Sequence, residues 1–250
     1  MPKPAPRTLQ VLHAEQITPH MRRITLGGAE MHDFPKDQES AYIKLLFDQA
    51  GSERPLMRTY TIRTQRDTEI DVDFVVHEQT GIASQWALDA QIGDTIRIGG
   101  PGPAKLMTLD ADWFLLAGDM TALPAISVNL EKLPADATGY AVIEIASEMD
   151  KQDLVKPAGV EVIWVINATT SATHSPLLEQ IRALTWQDGQ PSVWVACEFH
   201  SMRQLRDYFK HTRSVSKSHL YVSSYWKIDR TEDEHKVDKR QDSDAHDASS

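Results

Sequence analysis

The chain of 250 residues has a single cysteine, Cys197. One thiol excludes an internal disulfide and cannot hold an iron–sulfur cluster, and a reducing cytoplasm is the expected setting. Long apolar runs are missing as well. No stretch approaches the roughly 20 residues that span a bilayer. The opening Met1-Pro2-Lys3-Pro4-Ala5-Pro6-Arg7 lacks the apolar segment of a secretory signal, so no membrane association is expected. Positive charge is also short: 26 basic against 36 acidic residues leave a net charge of −10 and speak against a nucleic-acid partner. Ten histidines show no zinc-site spacing, so no protein-bound metal is expected. Residues 229–250 hold eight acidic and four basic side chains, no aromatic ring and one Val237, and read as an acidic, disordered tail. The remainder has ordinary globular composition and suffices for two modest domains, with a monomer as the default state.

Two grammars divide the chain. Residues 8–12, 21–26, 41–47, 56–63, 69–77 and 95–98 read as short strands separated by turns such as Thr18-Pro19-His20 and Gly93-Asp94. Six such strands with one helical interruption, beginning at Gly81, predict a small antiparallel Greek-key barrel over 1–108. Past Pro101-Gly102-Pro103, apolar strands at 113–117, 141–146, 160–166, 192–197 and 219–222 alternate with helices near 123–130, 175–184 and 200–211. That alternation predicts an α/β domain over 109–228 with a mostly parallel sheet.

Three stretches carry chemistry. In Leu56-Met57-Arg58-Thr59-Tyr60-Thr61-Ile62-Arg63, Arg58, Tyr60 and Ile62 share one strand face, and Thr59, Thr61 and Arg63 the other. A ring, a guanidinium fork and hydroxyls suit a planar, anionic ligand, although, taken alone, an ordinary amphipathic strand explains the pattern more simply. Gly81-Ile82-Ala83-Ser84-Gln85-Trp86-Ala87 opens a helix whose free amides are a natural pyrophosphate seat or a plain capping turn. Gly118-Asp119-Met120-Thr121-Ala122-Leu123-Pro124-Ala125 follows an apolar strand, in the manner of a nucleotide loop or an ordinary βα turn. Cys197, Trp113, Trp164 and Trp194 lie in apolar strands and read as core.

These stretches, with Val76-His77, Gly93-Asp94, Gly99-Gly100-Pro101-Gly102 and Ser224-Tyr225-Trp226-Lys227, occur in an order that resembles the siderophore-interacting proteins. These are flavin-dependent ferric-siderophore reductases of the ferredoxin-reductase superfamily. The resemblance implies an FAD-binding barrel followed by a nicotinamide-binding domain. It places Arg58, Thr59, Tyr60 and Thr61 near the isoalloxazine, and Asp73, Phe74, Val75 and His77 along the ribityl and phosphate path. Gly81, Ala83, Ser84 and Trp86 fall at the pyrophosphate and adenine, while Thr121 reaches across to the flavin from the second domain's nucleotide loop with Gly118, Asp119, Ala122 and Pro124. Ferric siderophores are bulky and commonly anionic, so Lys44, Lys105, Tyr225, Trp226 and Lys227 are the substrate-side candidates.

The chain departs from the family's usual pattern at His77-Glu78, Gly81-Ile82, Ser224-Tyr225-Trp226-Lys227 and Cys197-Glu198. Asn167 stands where an arginine is common, which removes one fork for a 2′-phosphate and leans towards NADH over NADPH. The implied activity is reduction of siderophore-bound Fe(III) to Fe(II) with FAD and NADH or NADPH; a ferredoxin-type donor remains open. No acid–base residue is required, so no catalytic side chain is assigned. A general flavin reductase or diaphorase on the same fold, and a non-enzymatic siderophore-binding accessory, are the alternatives.

Overall fold

The computed structural model describes residues 5–49, 51–76 and 81–247. The chain forms two compact units, one of Met1–Leu106 with Ser127–Lys132 and Met149–Val155, the other of the remaining residues.

The first unit is built on β1 (Arg7–Thr18), β2 (Met21–Gly27), β3 (Tyr42–Gln49), β4 (Ser52–Arg66), β5 (Glu69–Val75) and β6 (Thr95–Gly99). They close into a barrel in the order β1-β2-β5-β4-β3-β6, which leaves no open sheet edge. Alternation decides what fills it: Ile24, Leu26, Ile43, Leu45, Ile62 and Phe74 are all essentially inaccessible. Outward-facing acids on β5 are nonetheless buried, because basic strand neighbours cover them. Arg23 on β2 grips Asp73 with two bonds of 2.6 and 2.8 Å, and Arg66 on β4 grips Asp71 the same way. Helix α1 (Ile82–Asp89) packs Ala83 and Ala87 into this core. Its last turn is held by Arg22, whose Nε donates to the Ala87 carbonyl at 2.7 Å, a cation where the helix dipole is negative.

The β1–β2 turn has a distant anchor. Asp150 is fully buried and accepts from Thr18 Oγ1 (2.9 Å) and the His20 amide (3.0 Å), while its other oxygen meets His20 Nδ1 at 2.8 Å. Burial works to raise its pKa, but the His20 and Thr18 hydrogen bonds outweigh it and hold the carboxyl below the usual range.

The second unit is a five-stranded parallel sheet of β7 (Trp113–Asp119), β8 (Thr138–Ile145), β9 (Gly159–Ile166), β10 (Pro191–Glu198) and β11 (Leu220–Trp226), in the order β11-β10-β7-β8-β9. Helices α2 (Leu123–Lys132), whose residues from Ser127 on belong to the first unit, α3 (Pro176–Ala183) and α4 (Phe199–Asp207) follow β7, β9 and β10. Every residue of β7 and β10 is buried, as expected for parallel strands covered on both faces. Ser175 caps α3 by accepting from the Leu178 amide, with Pro176 at the first helical position. Gly139 at the start of β8 has φ +136° and lies so close to β7 that a Cβ would meet the Phe114 carbonyl at 1.9 Å, so only glycine fits. Cys197, Trp113 and Trp194 are buried as the strand pattern implies, while Trp164 on edge strand β9 is only half-buried.

One expectation is corrected. The stretch read as a disordered tail contains helix α5 (Glu232–Asp247). Composition alone concealed a capping box: the Thr231 amide donates to Glu234 Oε2 at 2.8 Å, and the Glu234 amide returns a bond to Thr231 Oγ1 at 3.4 Å. Ion pairs then hold the helix to the rest of its unit.

Among the described residues, no helix is long and apolar enough to cross a membrane.

Candidate functional site

Barrel strands β3, β4 and β5 and helix α1 bring the first group of candidates together. Tyr60 lies opposite Ile43 on β3, and its ring packs on Phe74 at 4.3 Å between centroids. Phe74 in turn meets Trp86 of α1 at 5.7 Å, and Trp86 meets Phe47 at 6.3 Å. Four rings thus run from β4 across the core to α1. Phe74 is wholly inaccessible and the Asp73 carboxylate is committed to Arg23, so these two offer a ligand only their backbone. Arg58 is half-buried, and its Nη1 donates to the Met57 carbonyl. Thr59 pairs across the ladder with Lys44, and Thr61 with Tyr42. Lys44 makes no ion pair among the described residues, whereas the Lys105 carbonyl accepts from Ser40 Oγ and Asn129 Nδ2. His77 lies outside the described residues.

Among the described residues, helix α1 begins after Gly81 with no side chain capping it, and no atom beyond its chain neighbours comes within 4 Å of where a Gly81 Cβ would stand. Ser84 is the third helical residue rather than a cap; its hydroxyl donates to the Val75 carbonyl at 2.9 Å and ties the helix to β5. Among the described residues, the first-turn amides therefore have no side-chain acceptor. Donor amides at the positive end of a helix, with a guanidinium and an aromatic row on the same unit, fit an anionic dinucleotide such as FAD.

In the second unit the chain passes from β7 outward to β8 and β9, then returns to β10 on the other flank. The carboxyl ends of β7 and β10 are therefore a topological switch point, where α/β sheets bind ligands. Gly118 lies there, and a Cβ on it would meet the Ala196 carbonyl at 2.5 Å, so its smallness lets the strands close up. Asp119 is buried and gathers four donors. Its Oδ1 accepts from the Thr121 amide (2.9 Å) and the Thr121 hydroxyl; its Oδ2 accepts from the Glu198 amide (2.9 Å) and Trp226 Nε1 (2.8 Å). One carboxylate so joins the ends of β7, β10 and β11. Burial pushes its pKa up, and the four donors work against that. Thr121, expected to donate to a ligand, has its hydroxyl proton on Asp119. Ala122 and Pro124 are buried at the start of α2 and shape the turn rather than offer polar groups.

The substrate-side candidates divide. Tyr225 packs edge-on against Trp194 at 6.4 Å and hydrogen-bonds with Tyr221, and burial pushes its phenol well above the usual range. Trp226 points to Asp119 instead. Lys227 is not an open cation: its Nζ meets Asp238 at 2.7 Å and lies 4.6 Å from the Phe199 ring centroid.

Two acidic residues at this end of the sheet carry more of the structure than their sequence context announces. Glu198 caps α4 through the His200 and Ser201 amides and meets His200 Nδ1 at 2.9 Å; the sequence marked it only by its place at a strand end and in the Cys197-Glu198 pair. Glu144, at the end of β8, accepts from Asn167 Nδ2 at 3.0 Å, so Asn167 supports a carboxylate where an arginine fork was the family's usual choice. Burial lifts the Glu144 pKa to about 7, and the Asp119 and Glu198 charges add to the rise while Asn167 opposes it. A raised carboxyl stabilises the fold fully below its ordinary pKa and loses that contribution as pH climbs through 7. Urea unfolding of the native chain against Glu144→Gln should show the difference between them shifting by about 3 kcal/mol from pH 4.5 to 8, against the native chain. A pH-independent difference would contradict this placement of Glu144.

Comparison with known proteins agrees with both halves. Residues 10–53 and 48–105 match the siderophore-interacting FAD-binding domain, and residues 111–229 match the siderophore-interacting protein model. An uncharacterised protein of Mycobacterium tuberculosis is 37% identical, over 90% of this chain and 91% of its own. Ferric vibriobactin reductase ViuB of Vibrio cholerae is 31% identical, over 91% of this chain and 92% of its own. The crystal structure of the siderophore-interacting protein SipS from Aeromonas hydrophila superposes with a TM-score of 0.85 at 33% identity, covering 96% of this chain and 98% of that one.

Proposed function

The chain belongs to the siderophore-interacting protein family, and from that premise we propose that it is a ferric-siderophore reductase taking electrons from NADH or NADPH. The observation that carries the reading is the amide end of α1, uncapped among the described residues, on the same unit as the Tyr60–Phe74–Trp86 ring row. Bound FAD supplies the exchange between a two-electron donor and a one-electron acceptor. The FAD-binding domain is assigned to 1–108. There Arg58 and the α1 amides at Ala83 and Ser84 hold phosphate, Tyr60 and Thr61 orient the ring system, and backbone from Asp73 to Val76 lines the path between them. The nicotinamide domain is assigned to 109–228, with Gly118 letting β7 and β10 close up at the switch point and Asp119 holding Thr121 and Trp226 in place. The acceptor is siderophore-bound Fe(III); as Fe(II) it is held less tightly by hard oxygen donors and leaves. Lys44 and Lys105 favour an anionic chelate by charge.

A general diaphorase is the second reading, favoured by the pairing of Lys227 with Asp238, which removes one expected substrate cation.

The test is an absorbance spectrum of the purified protein followed by anaerobic additions. Flavin bands should bleach with NADH or NADPH and return on adding a ferric siderophore, with Fe(II) trapped by a chelator. Bleaching that artificial acceptors reverse and ferric chelates do not would favour the diaphorase. A protein that cannot take up FAD would overturn both.

A further inference from the structure

The β1–β2 turn, Thr18-Pro19-His20, is fastened twice over. Its own strand closes it first: Gln16 Nε2 donates to the carbonyls of Thr18 (2.7 Å), Pro19 (3.3 Å) and Met21 (3.3 Å). Local bonds of this kind are what a short hairpin connection needs. Asp150 is an addition to them. It belongs to Met149–Val155, the segment that the first unit receives from the chain between β8 and β9, and it is fully buried. Its Oδ1 accepts from Thr18 Oγ1 and the His20 amide, and its Oδ2 meets His20 Nδ1 at 2.8 Å. A carboxylate is costly to bury, so a turn that closes by its own bonds gains nothing from one unless its position matters. Two elements depend on that position. The His20 carbonyl accepts from the Val76 amide at 3.0 Å, at the end of the backbone assigned to the flavin path. Two residues on, Arg22 Nε donates to the Ala87 carbonyl in the last turn of α1 (2.7 Å), while Ser84 Oγ ties the first turn to the Val75 carbonyl (2.9 Å). Asp150 thus stands behind the turn, and the turn behind Val76 and α1.

We propose that Asp150 and His20 are positioning residues for FAD: by pinning the β1–β2 turn they hold Val76 and α1 where the flavin pyrophosphate is received. The proposal rests on the FAD-binding reading of this unit. An anion seated on backbone amides binds best when those amides are in place beforehand, because a seat that must be ordered on binding gives up affinity. Helix α1 has only eight residues, too few to hold itself in place, and depends on Ser84, Arg22 and the turn for its position. The effect should therefore fall on the pyrophosphate end of the ligand. The ring end, assigned to Tyr60 and Thr61, lies on β4, whose place is fixed by its ladder with β3 rather than by the turn.

The test titrates FAD, and riboflavin as a flavin without phosphate, into the full chain stripped of flavin, with flavin fluorescence as the signal. The native chain is compared with Asp150→Ala, His20→Ala and His20→Asn. FAD should bind about 10-fold more weakly to both alanine variants, with riboflavin affinity unchanged. In His20→Asn the side-chain NH2 takes the place of Nδ1 as donor to Asp150, so FAD affinity should return to within about 2-fold of native. Far-ultraviolet circular dichroism checks the fold, and if Asp150→Ala does not fold, the two His20 variants decide. Native FAD affinity in a folded alanine variant, an equal loss for riboflavin, or an asparagine variant as weak as the alanine one would each overturn the proposal. A native chain that takes up no FAD would overturn the FAD reading itself, whereas native uptake with unaffected variants would leave that reading standing.

Discussion

Asp119→Ala should remove about 3–5 kcal/mol from the stability of the second unit, the largest effect expected of any single substitution there. The change leaves four donors facing a void: the Thr121 amide and hydroxyl, the Glu198 amide and the Trp226 indole N–H. Each stranded buried donor costs about 1–3 kcal/mol, partly relieved if water enters. Asp119→Asn keeps the shape and one acceptor but turns an amide NH2 towards a donor, so about 1–3 kcal/mol is expected. Urea unfolding followed by tryptophan fluorescence measures both. Because Trp226 lies on Asp119, its emission should shift in the alanine variant before the main transition. Equal stability of Asp119→Ala and the native chain would mean that the carboxylate does not join β7, β10 and β11.

Arg58→Ala with Tyr60→Ala should weaken FAD retention about 100-fold or more and leave the barrel folded. Arg58 is half-buried and Tyr60 only edges the core, against Phe74. The alanine changes remove a phosphate fork and a ring face while Ile62 and Phe74 keep the interior closed. Fluorescence titration of FAD into the stripped protein gives the affinity, and far-ultraviolet circular dichroism checks the fold. Native FAD affinity in the double variant would show that the ligand sits elsewhere on the barrel.

The candidate residues were legible to different depths. Arg58, Tyr60 and Thr61 could be placed because a strand has period two and its neighbours alternate; their sides follow from sequence spacing alone. The open start of α1 was foreseen at Gly81, but not the use of Ser84, whose hydroxyl turns back to Val75. Asp119 and Thr121 were singled out as one loop. Their mutual hydrogen bonds were not, because hydroxyl direction depends on what else is buried nearby.

Lys227 shows the limit most clearly. Its position after the last strand was read correctly, but its charge is answered by Asp238 on a helix that composition marked as disordered. Sparse apolar content argues against independent folding. It does not argue against a capped helix docking on an existing cationic surface.

The sequence by itself determined the order and type of the elements: six alternating strands for the closed barrel, then strands and helices in turn for the parallel sheet. Those are local properties, set by periodicity, turn residues and the lengths of apolar runs. Only the tertiary structure decided the polar partners. Asp150 anchors His20 across 130 residues, and Trp226 reaches Asp119 across 107. A carboxylate accepts from whichever donors packing brings to it, and packing is settled by the whole core rather than by the residues on either side.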